Sequence, residues 1–303
     1  MKKSLKLLAF AFVAFLFAGV MSVNAATPVK TEDELTAAIA NGGNIVLEDD
    51  IKITKPIELF KDTEISSLNS YTLDGTGMTM NGKNGSILAA HAKLTLDNVN
   101  LKGAAKYGVQ AYENGDVTLN DVTISNCEWG AVLVNGGQVV INDLVMDSNA
   151  WGIEFAKGEN VTGDPALVMD GTMYVNNQPD AITVDDTQVD KFLIENSEAS
   201  TNKIVLEDNK LLVKDNSGKT VVESKVLAND LVVSIDGQEE VTKEPVETPE
   251  EPVVTTTTAA ATTTQKAIEN PSTSDNLPLY IVLSLAALAG TVVFGMKIKK
   301  AMN

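Results

Sequence analysis

The chain has 303 residues, a net charge of −18 at neutral pH and a single cysteine, Cys127. All 23 basic residues are lysines, against 41 acidic residues, and this balance argues against nucleic-acid binding, which requires clustered positive charge. One cysteine excludes an intrachain disulfide, so packing must stabilise the fold, and we expect Cys127 to be a core residue.

The first 25 residues have the features of a secretory signal peptide. Three lysines at positions 2, 3 and 6 precede an apolar stretch over residues 7–20, and Val23 and Ala25 place small residues before a cleavage site. The alternative is a retained N-terminal membrane helix, but this apolar stretch is short for a membrane span.

Residues 26–43 are predicted to form an N-terminal cap. Thr31 and Glu34 stand at the spacing of a capping box, and Leu35, Ala38 and Ile39 follow at helical spacing. We therefore expect a short helix that begins near Thr31. A helix over the end of a sheet protects strand edges that otherwise invite aggregation.

Residues 44–200 contain a sequence repeat. The segment 94–101 recurs at 117–124, 139–146 and 167–174, with spacings of 23, 22 and 28 residues. A period in the low twenties, built from short alternating segments, is typical of a solenoid. A leucine-rich repeat is the competing solenoid, but its leucine pattern and its helical return are missing here.

Each repeat holds three short runs in which apolar and polar residues alternate, separated by Gly, Asn or Asp. Alternation with a period of two directs one set of side chains inward and the other outward. In one repeat the inward positions are predicted at Val117, Leu119, Val122, Ile124, Ala131 and Leu133. Three strands per coil of about 22 residues predict an all-β fold, a parallel β-helix.

Acidic and amide residues recur in pairs at the predicted bends, at 97–98, 120–121 and 142–143. Such side chains bond to the local backbone and tolerate unusual backbone conformations, and stacked amides bond between coils. Acids in these positions could also bind calcium. A ladder of solvated bends requires no ion, however, and we expect no metal site.

The repeat spacing and the bends resemble those of right-handed β-helix proteins of the pectate lyase-like superfamily, over residues 30–200. The resemblance implies a ligand-binding groove along one stacked sheet, around the strands of Tyr107, Trp129 and Trp151. Enzymes of this fold cleave acidic polysaccharides with an arginine or lysine base and calcium-binding aspartates, or with several aspartates in one groove. This chain has no arginine and one histidine, His91, so we expect no catalytic residue and no cofactor.

Alternation along the third strand of each coil predicts the outward residues Gln110, Val132, Glu154 and Thr183. They include one carboxylate, whereas glycoside hydrolysis usually needs a positioned pair. Asp185 and Asp186 follow directly, but the repeat offers them no partner in register. His91 is interpreted as a structural or exposed histidine near a bend.

Three aromatic residues, Tyr107, Trp129 and Trp151, recur at intervals of 22 residues. Since stacked coils lie about 4.8 Å apart, their rings should form a ladder on the outer surface. Such rings can stack on sugars, or they can pack on one another and stabilise a turn. With Glu154 they are the candidate ligand-binding residues.

The sequence changes character beyond the repeats. Residues 201–238 contain short apolar runs that predict β structure without indicating its topology. Residues 239–269 are rich in Pro, Thr and Glu, which is typical of an extended, disordered linker.

Residues 270–303 combine a short polar motif, an apolar segment over 277–296 and a basic tail over 297–303. The apolar segment would be about 30 Å long as a helix, enough to cross a bilayer, and the lysines after it favour a cytoplasmic end. The motif consists of Asn270, Pro271, Ser272, Thr273 and Ser274.

This order resembles the sorting signal of Gram-positive surface proteins, whose familiar motif is Leu-Pro-x-Thr-Gly. Pro271 and Thr273 match it, while Asn270 replaces the leucine and Ser274 the glycine. The resemblance implies sortase and peptidoglycan as processing partners and a cell-wall location. A permanent single-span membrane anchor is the alternative. Both arrangements place the bulk of the chain outside the cell.

The sequence therefore favours a surface-anchored, non-enzymatic β-helix protein that binds a glycan or a host-surface protein. One alternative is a surface lyase or glycoside hydrolase acting on acidic polysaccharide. The other is a purely structural wall protein.

Sortase processing predicts cleavage between Thr273 and Ser274, which would couple Thr273 to the wall. Mass spectrometry of the C-terminal peptide released from purified walls should find a chain ending at Thr273, and Thr273→Ala should abolish this product. Recovery of residues 277–303 in the membrane fraction, still joined to the protein, would instead support the membrane anchor.

Overall fold

The computed structural model describes residues 26–242 apart from 159, 186 and 229. Its helix is α1 (Glu32–Asn41). In chain order the strands are β1 (Thr27–Val29), β2 (Gly43–Leu47), β3 (Ile51–Lys52), β4 (Ile57–Leu59), β5 (Thr63–Ser67), β6 (Thr72–Asp74), β7 (Leu88–Ala90), β8 (Lys93–Asp97), β9 (Asn100–Lys102), β10 (Val109–Ala111), β11 (Asp116–Asn120), β12 (Val122–Ser125), β13 (Gly130–Asn135), β14 (Gln138–Asp147), β15 (Trp151–Ala156), β16 (Ala166–Asn176), β17 (Ile182–Val184), β18 (Lys191–Asn196), β19 (Asn202–Glu207), β20 (Lys210–Asp215), β21 (Thr220–Glu223), β22 (Val232–Ile235) and β23 (Gln238–Val241).

The strands form the parallel β-helix that the repeats predict. The first face stacks β1, β2, β5, β8 and β11, and it continues through the beginnings of β14 and β16 to β18 and β22. The second face stacks β3, β6, β9 and β12 and continues through the ends of β14 and β16. The third face stacks β4, β7, β10, β13, β15 and β17.

The pairing register confirms the repeat alignment on the first face. Leu94 pairs with Val117, Val117 with Val139, and Val139 with Leu167, the spacings found in the sequence. Coils of unequal length thus keep one register, because the extra residues enter at the bends.

The interior is a set of apolar columns. Leu119 and Ile141, one coil apart on the first face, are fully buried, as are Ile124 and Met146 on the second. Burying such a side chain stabilises the fold by about 1.5–3 kcal/mol. Cys127 is also buried, as expected, and burial raises the pKa of its thiol to about 11.

The bends use residues that accept a left-handed backbone conformation. Asn98 and Asp121, both predicted bend residues, have φ values of 55° and 50°. The Asn142 amide donates to the Asn120 side chain one coil below, which is the predicted bond between coils. The pair at 142–143 differs, because it lies within the single strand β14, where the chain passes from the first face to the second and the pairing with β16 shifts register.

Helix α1 closes the N-terminal end of the stack. The Thr31 side chain accepts a hydrogen bond from the Glu34 N–H at 3.3 Å, as a capping box requires. The Glu34 carboxylate, however, accepts from the Lys30 N–H at 2.8 Å and not from the Thr31 N–H. Glu32 then ties the helix to the first coil, accepting from the backbone N–H and the hydroxyl of Thr54, both at 2.8 Å.

The sequence left the topology of residues 201–238 open. There, β19, β20 and β21 form a separate antiparallel sheet, inserted between two strands of the first face. β22 then pairs parallel with β18, and β23 folds back on β22 in the antiparallel sense. Parallel stacking therefore continues past residue 200.

The predicted signal peptide, most of the linker, the sorting motif and the apolar segment 277–296 lie outside the described residues. The linker was predicted to begin at residue 239, but residues 239–241 belong to β23, whose pairing with β22 orders them. Within residues 26–242, no helix is both long and apolar enough to cross a membrane.

Two adjacent residues on β14 test the register. Ile141 is fully buried, whereas its neighbour Val140 points outward. Ile141→Asp should lower the free energy of unfolding by several kcal/mol, because it buries an unpaired charge. Val140→Asp should cost less than about 1 kcal/mol. Chemical denaturation of both variants measures the difference, and equal losses would contradict the assigned register.

Candidate ligand-binding face

The outer surface of the third face holds one central column of outward side chains. Strand pairing places one residue of each coil in this column, from the first coil to the sixth. Its members are Glu58, Ala89, Gln110, Leu133, Glu154 and Thr183. Ala89 and Gln110 are nevertheless buried.

One member of this column differs from the prediction. Val132 was expected to point outward and Leu133 inward, but Val132 is fully buried and pairs with Val109 and Ile153. The cause is a one-residue offset, since Gly130 and not Trp129 lies in register with Tyr107 and Trp151. A constant spacing of 22 residues concealed this offset.

The predicted aromatic ladder exists, although its rings are not stacked flat. We call Tyr107, Trp129 and Trp151 the tryptophan file. The ring centroids of Tyr107 and Trp129 are 5.9 Å apart at an edge-on angle of 79°, and those of Trp129 and Trp151 are 5.9 Å apart at 45°. The file is therefore a packed cluster with one projecting ring.

The three rings differ in exposure. Trp129 is 40% exposed, and Trp151 is half-buried. Tyr107 is only 3% exposed, which contradicts its predicted place on the solvent side of the ladder. The Lys106 ammonium lies 4.2 Å from the Trp129 ring centroid, a cation–π contact on this indole.

Glu154 holds the tryptophan file together. Its Oε2 atom accepts hydrogen bonds from the Tyr107 hydroxyl and from Trp151 Nε1, the latter at 2.9 Å. Burial raises the pKa of Glu154, although these two hydrogen bonds oppose the rise. Burial and the charge of Glu154 also raise the pKa of Tyr107 far above its ordinary range. The four predicted ligand-binding residues thus form one site, in which Glu154 positions the rings.

A second aromatic file, missed in the sequence, lies on the same outer surface. We call Phe60, His91 and Tyr112 the histidine file. Its rings stack almost parallel, with centroid distances of 4.6 Å and 4.2 Å and interplanar angles of 10° and 8°. Phe60 is 70% exposed at the end of the stack. His91 is therefore neither isolated nor simply exposed.

The Glu58 carboxylate contacts a ring of the histidine file, as the Glu154 carboxylate does in the tryptophan file. Its Oε2 lies 2.6 Å from His91 Nε2, and its Oε1 accepts from the Asn84 amide at 2.8 Å. Burial and the nearby Glu58 charge raise the pKa of Tyr112. The sequence signal was an aromatic or histidine residue directly after each of three successive third-face strands.

The carboxylates on this face are widely spaced. Glu58 and Glu154 share the central column four coils apart, which corresponds to about 19 Å. A glycosidase pair requires a separation of about 5–9.5 Å. Asp185, expected to lack a partner, does interact electrostatically with Glu154 and raises its pKa further. Among the described residues, no cluster of three or more His, Cys, Asp or Glu could hold a metal ion.

The raised pKa of Glu154 gives its stability contribution a definite sign. The folded state holds this proton more tightly than the unfolded state, so the stabilisation is complete below the ordinary pKa of 4.5 and is lost as pH rises through the folded value. Glu154→Gln cannot ionise and keeps an oxygen to accept both hydrogen bonds. Relative to the natural chain, its free energy of unfolding should increase between pH 4 and pH 7, measured by denaturation at several pH values. A difference that does not vary with pH would contradict this assignment.

The family comparison agrees with the fold. The model of a family described as "Right handed beta helix region" matches residues 65–227, more than half of the chain, including both tryptophans and Glu154. No curated protein and no solved structure matches the chain. The pairing of parallel strands into three stacked faces is the architecture that this family description names. The chain therefore belongs to the right-handed β-helix family.

Proposed function

We propose that this protein is a non-enzymatic, cell-surface adhesion module that binds glycans through the tryptophan file. The observation that carries the proposal is the state of Trp129. This indole stays 40% exposed although its neighbours fix its position: Tyr107 meets it edge-on, Trp151 lies on its other side, and Lys106 lies over its ring. Leaving a large apolar ring in water is unfavourable, whereas a sugar ring that covers it regains the apolar contact.

The polar groups around Trp129 support the same proposal. Glu154 uses Oε2 for Tyr107 and Trp151, so its Oε1 takes no part in these two bonds, and the Lys106 ammonium lies over the exposed ring. Sugar hydroxyls both donate and accept hydrogen bonds, so an acceptor and a donor next to an aromatic surface suit them. The rings are also held in place before binding, which reduces the entropy lost on association.

The cellular setting is part of the proposal and rests on the termini. A signal peptide at residues 1–25 and the motif at 270–274 favour export followed by sortase coupling to peptidoglycan. The part of the predicted linker beyond β23, up to residue 269, would hold the β-helix away from the wall. The permanent membrane anchor remains the alternative for the same location.

One observation favours a second candidate, a glycoside hydrolase. Burial raises the pKa of Glu154, as a general acid requires, and Asp185 supplies a second carboxylate nearby. Against this candidate, Glu154 already holds Tyr107 and Trp151. Asp185 is also engaged in a local turn, where its side chain accepts from the Thr187 hydroxyl at 2.6 Å.

Binding of the purified full chain to a glycan array tests the first candidate. Trp129→Ala should weaken binding by about 2 kcal/mol, the loss typical of a central aromatic contact. Trp151→Ala, which also removes a partner of Glu154, should weaken it similarly. Tyr174→Ala is the matched control, since Tyr174 is 58% exposed on the second face and lies outside the site.

The same proteins should be incubated with a panel of acidic and neutral polysaccharides, with and without calcium. Turnover that Glu154→Gln abolishes would favour the hydrolase over the adhesion module. Absence of both binding and turnover would favour a purely structural wall protein, in which the tryptophan file serves packing alone.

A further inference from the structure

The two aromatic files meet on one coil. The histidine file ends at Tyr112 and the tryptophan file begins at Tyr107, and these tyrosines flank β10. The files together therefore extend over five successive coils, from Phe60 on the first to Trp151 on the fifth. This span is about 19 Å along the stacking direction.

The two tyrosines bring the files together across the strand. Their Cα atoms are five residues apart, about 16 Å along an extended chain. Both side chains nevertheless turn toward the central column: the Tyr107 hydroxyl donates to Glu154, and Tyr112 stacks on His91, which is bonded to Glu58. Gln110, between the two tyrosines, is bonded to the Ser86 hydroxyl at 3.2 Å and is buried. The two files thus adjoin each other across β10, where the Tyr112 ring remains partly exposed.

The charges along this surface disfavour an acidic ligand. Between its two glutamates the central column holds Ala89, Gln110 and Leu133, which carry no charge. The ammonium groups lie beside the column and not in it, with Lys106 over Trp129 and with Lys55 and Lys61 around a cavity bounded by Phe60. The column itself holds two glutamates and no cation, so a polymer with a carboxylate on every unit would meet the like charges of Glu58 and Glu154 there.

We propose that the two aromatic files act as a single diagonal track for an extended, uncharged glycan that contacts Phe60 and Trp129 at once. This inference rests on the proposed glycan-binding function and specifies the length and the charge of the ligand. It differs from the acidic polysaccharides that the family resemblance implies. Phe60 lies at the end of this track that is remote from Trp129. A short glycan that covers Trp129 therefore does not reach Phe60.

The test compares ligands of two lengths on the full chain. The probes are neutral linear oligosaccharides (β-glucans, chitin, mannan and α-glucan fragments), each as a disaccharide and a hexasaccharide, with oligogalacturonate of matching lengths as the acidic arm. Phe60→Ala should weaken hexasaccharide binding about fivefold to tenfold, the loss expected for one aromatic contact, and leave disaccharide binding unchanged. Phe60→Tyr, which keeps the ring, should retain hexasaccharide affinity.

Leu68→Ala is the matched control, since Leu68 is an apolar side chain, 89% exposed, on another part of the second coil. Thermal melts of all variants verify that each is folded. If Trp129→Ala weakens binding but Phe60→Ala leaves hexasaccharide affinity unchanged, the diagonal track is wrong. The binding site is then confined to the tryptophan file. Equal losses for both lengths, or acidic chains that bind as well as neutral ones, would also overturn the track. If Trp129→Ala has no effect on any glycan, the proposed function itself fails.

Discussion

Hydrogen bonding between successive coils is the interaction on which the rest of this structure depends. Each parallel strand pairs in register with the strand one coil below, so a residue's position in its coil determines its neighbours along the stack. A side chain therefore belongs to a column of equivalent positions. The column determines whether the residue lies in the interior, at a bend or on the outer surface. Buried columns are apolar, bend positions take left-handed residues such as Asn98 and Asp121, and outward columns are free to carry function.

The same constraint explains the binding face. Side chains that follow successive third-face strands must come to lie on top of one another at the coil spacing, which is close to the stacking distance of flat rings. Phe60, His91 and Tyr112 meet this condition and stack nearly parallel. Trp129 is displaced by one residue from its column, and its ring tilts against both neighbours. The same indole is the most exposed ring of its file.

The sequence allowed the β-helix and its register to be predicted where coil length is nearly constant, because alternation and spacing then agree, as at Leu119 and Ile141. The sequence did not reveal the histidine file, because 31 residues separate Phe60 from His91 and only 21 separate His91 from Tyr112.

The sequence also led to a wrong orientation for Val132, since a single extra residue before β13 reverses the inward and outward sides of a strand. The ladder of Tyr107, Trp129 and Trp151 was predicted on the surface, whereas the burial of Tyr107 depends on packing that periodicity does not describe. The fold of residues 201–238 escaped prediction because an antiparallel sheet interrupts the parallel stack.

The hairpin of β22 and β23 has a mechanical consequence. Thr242 follows β23, its N–H bonds to the Leu231 carbonyl, and β23 pairs antiparallel with β22. Val241, at the end of β23, pairs with Val232, at the start of β22. A force applied to the chain at residue 242 would therefore break the hydrogen bonds of the hairpin one after another, beginning at this pair. Each coil contacts only its neighbours, so such a pull detaches structure stepwise from this end. The hairpin would unfold first under force, while the coils that carry Trp129 and Phe60 would remain folded.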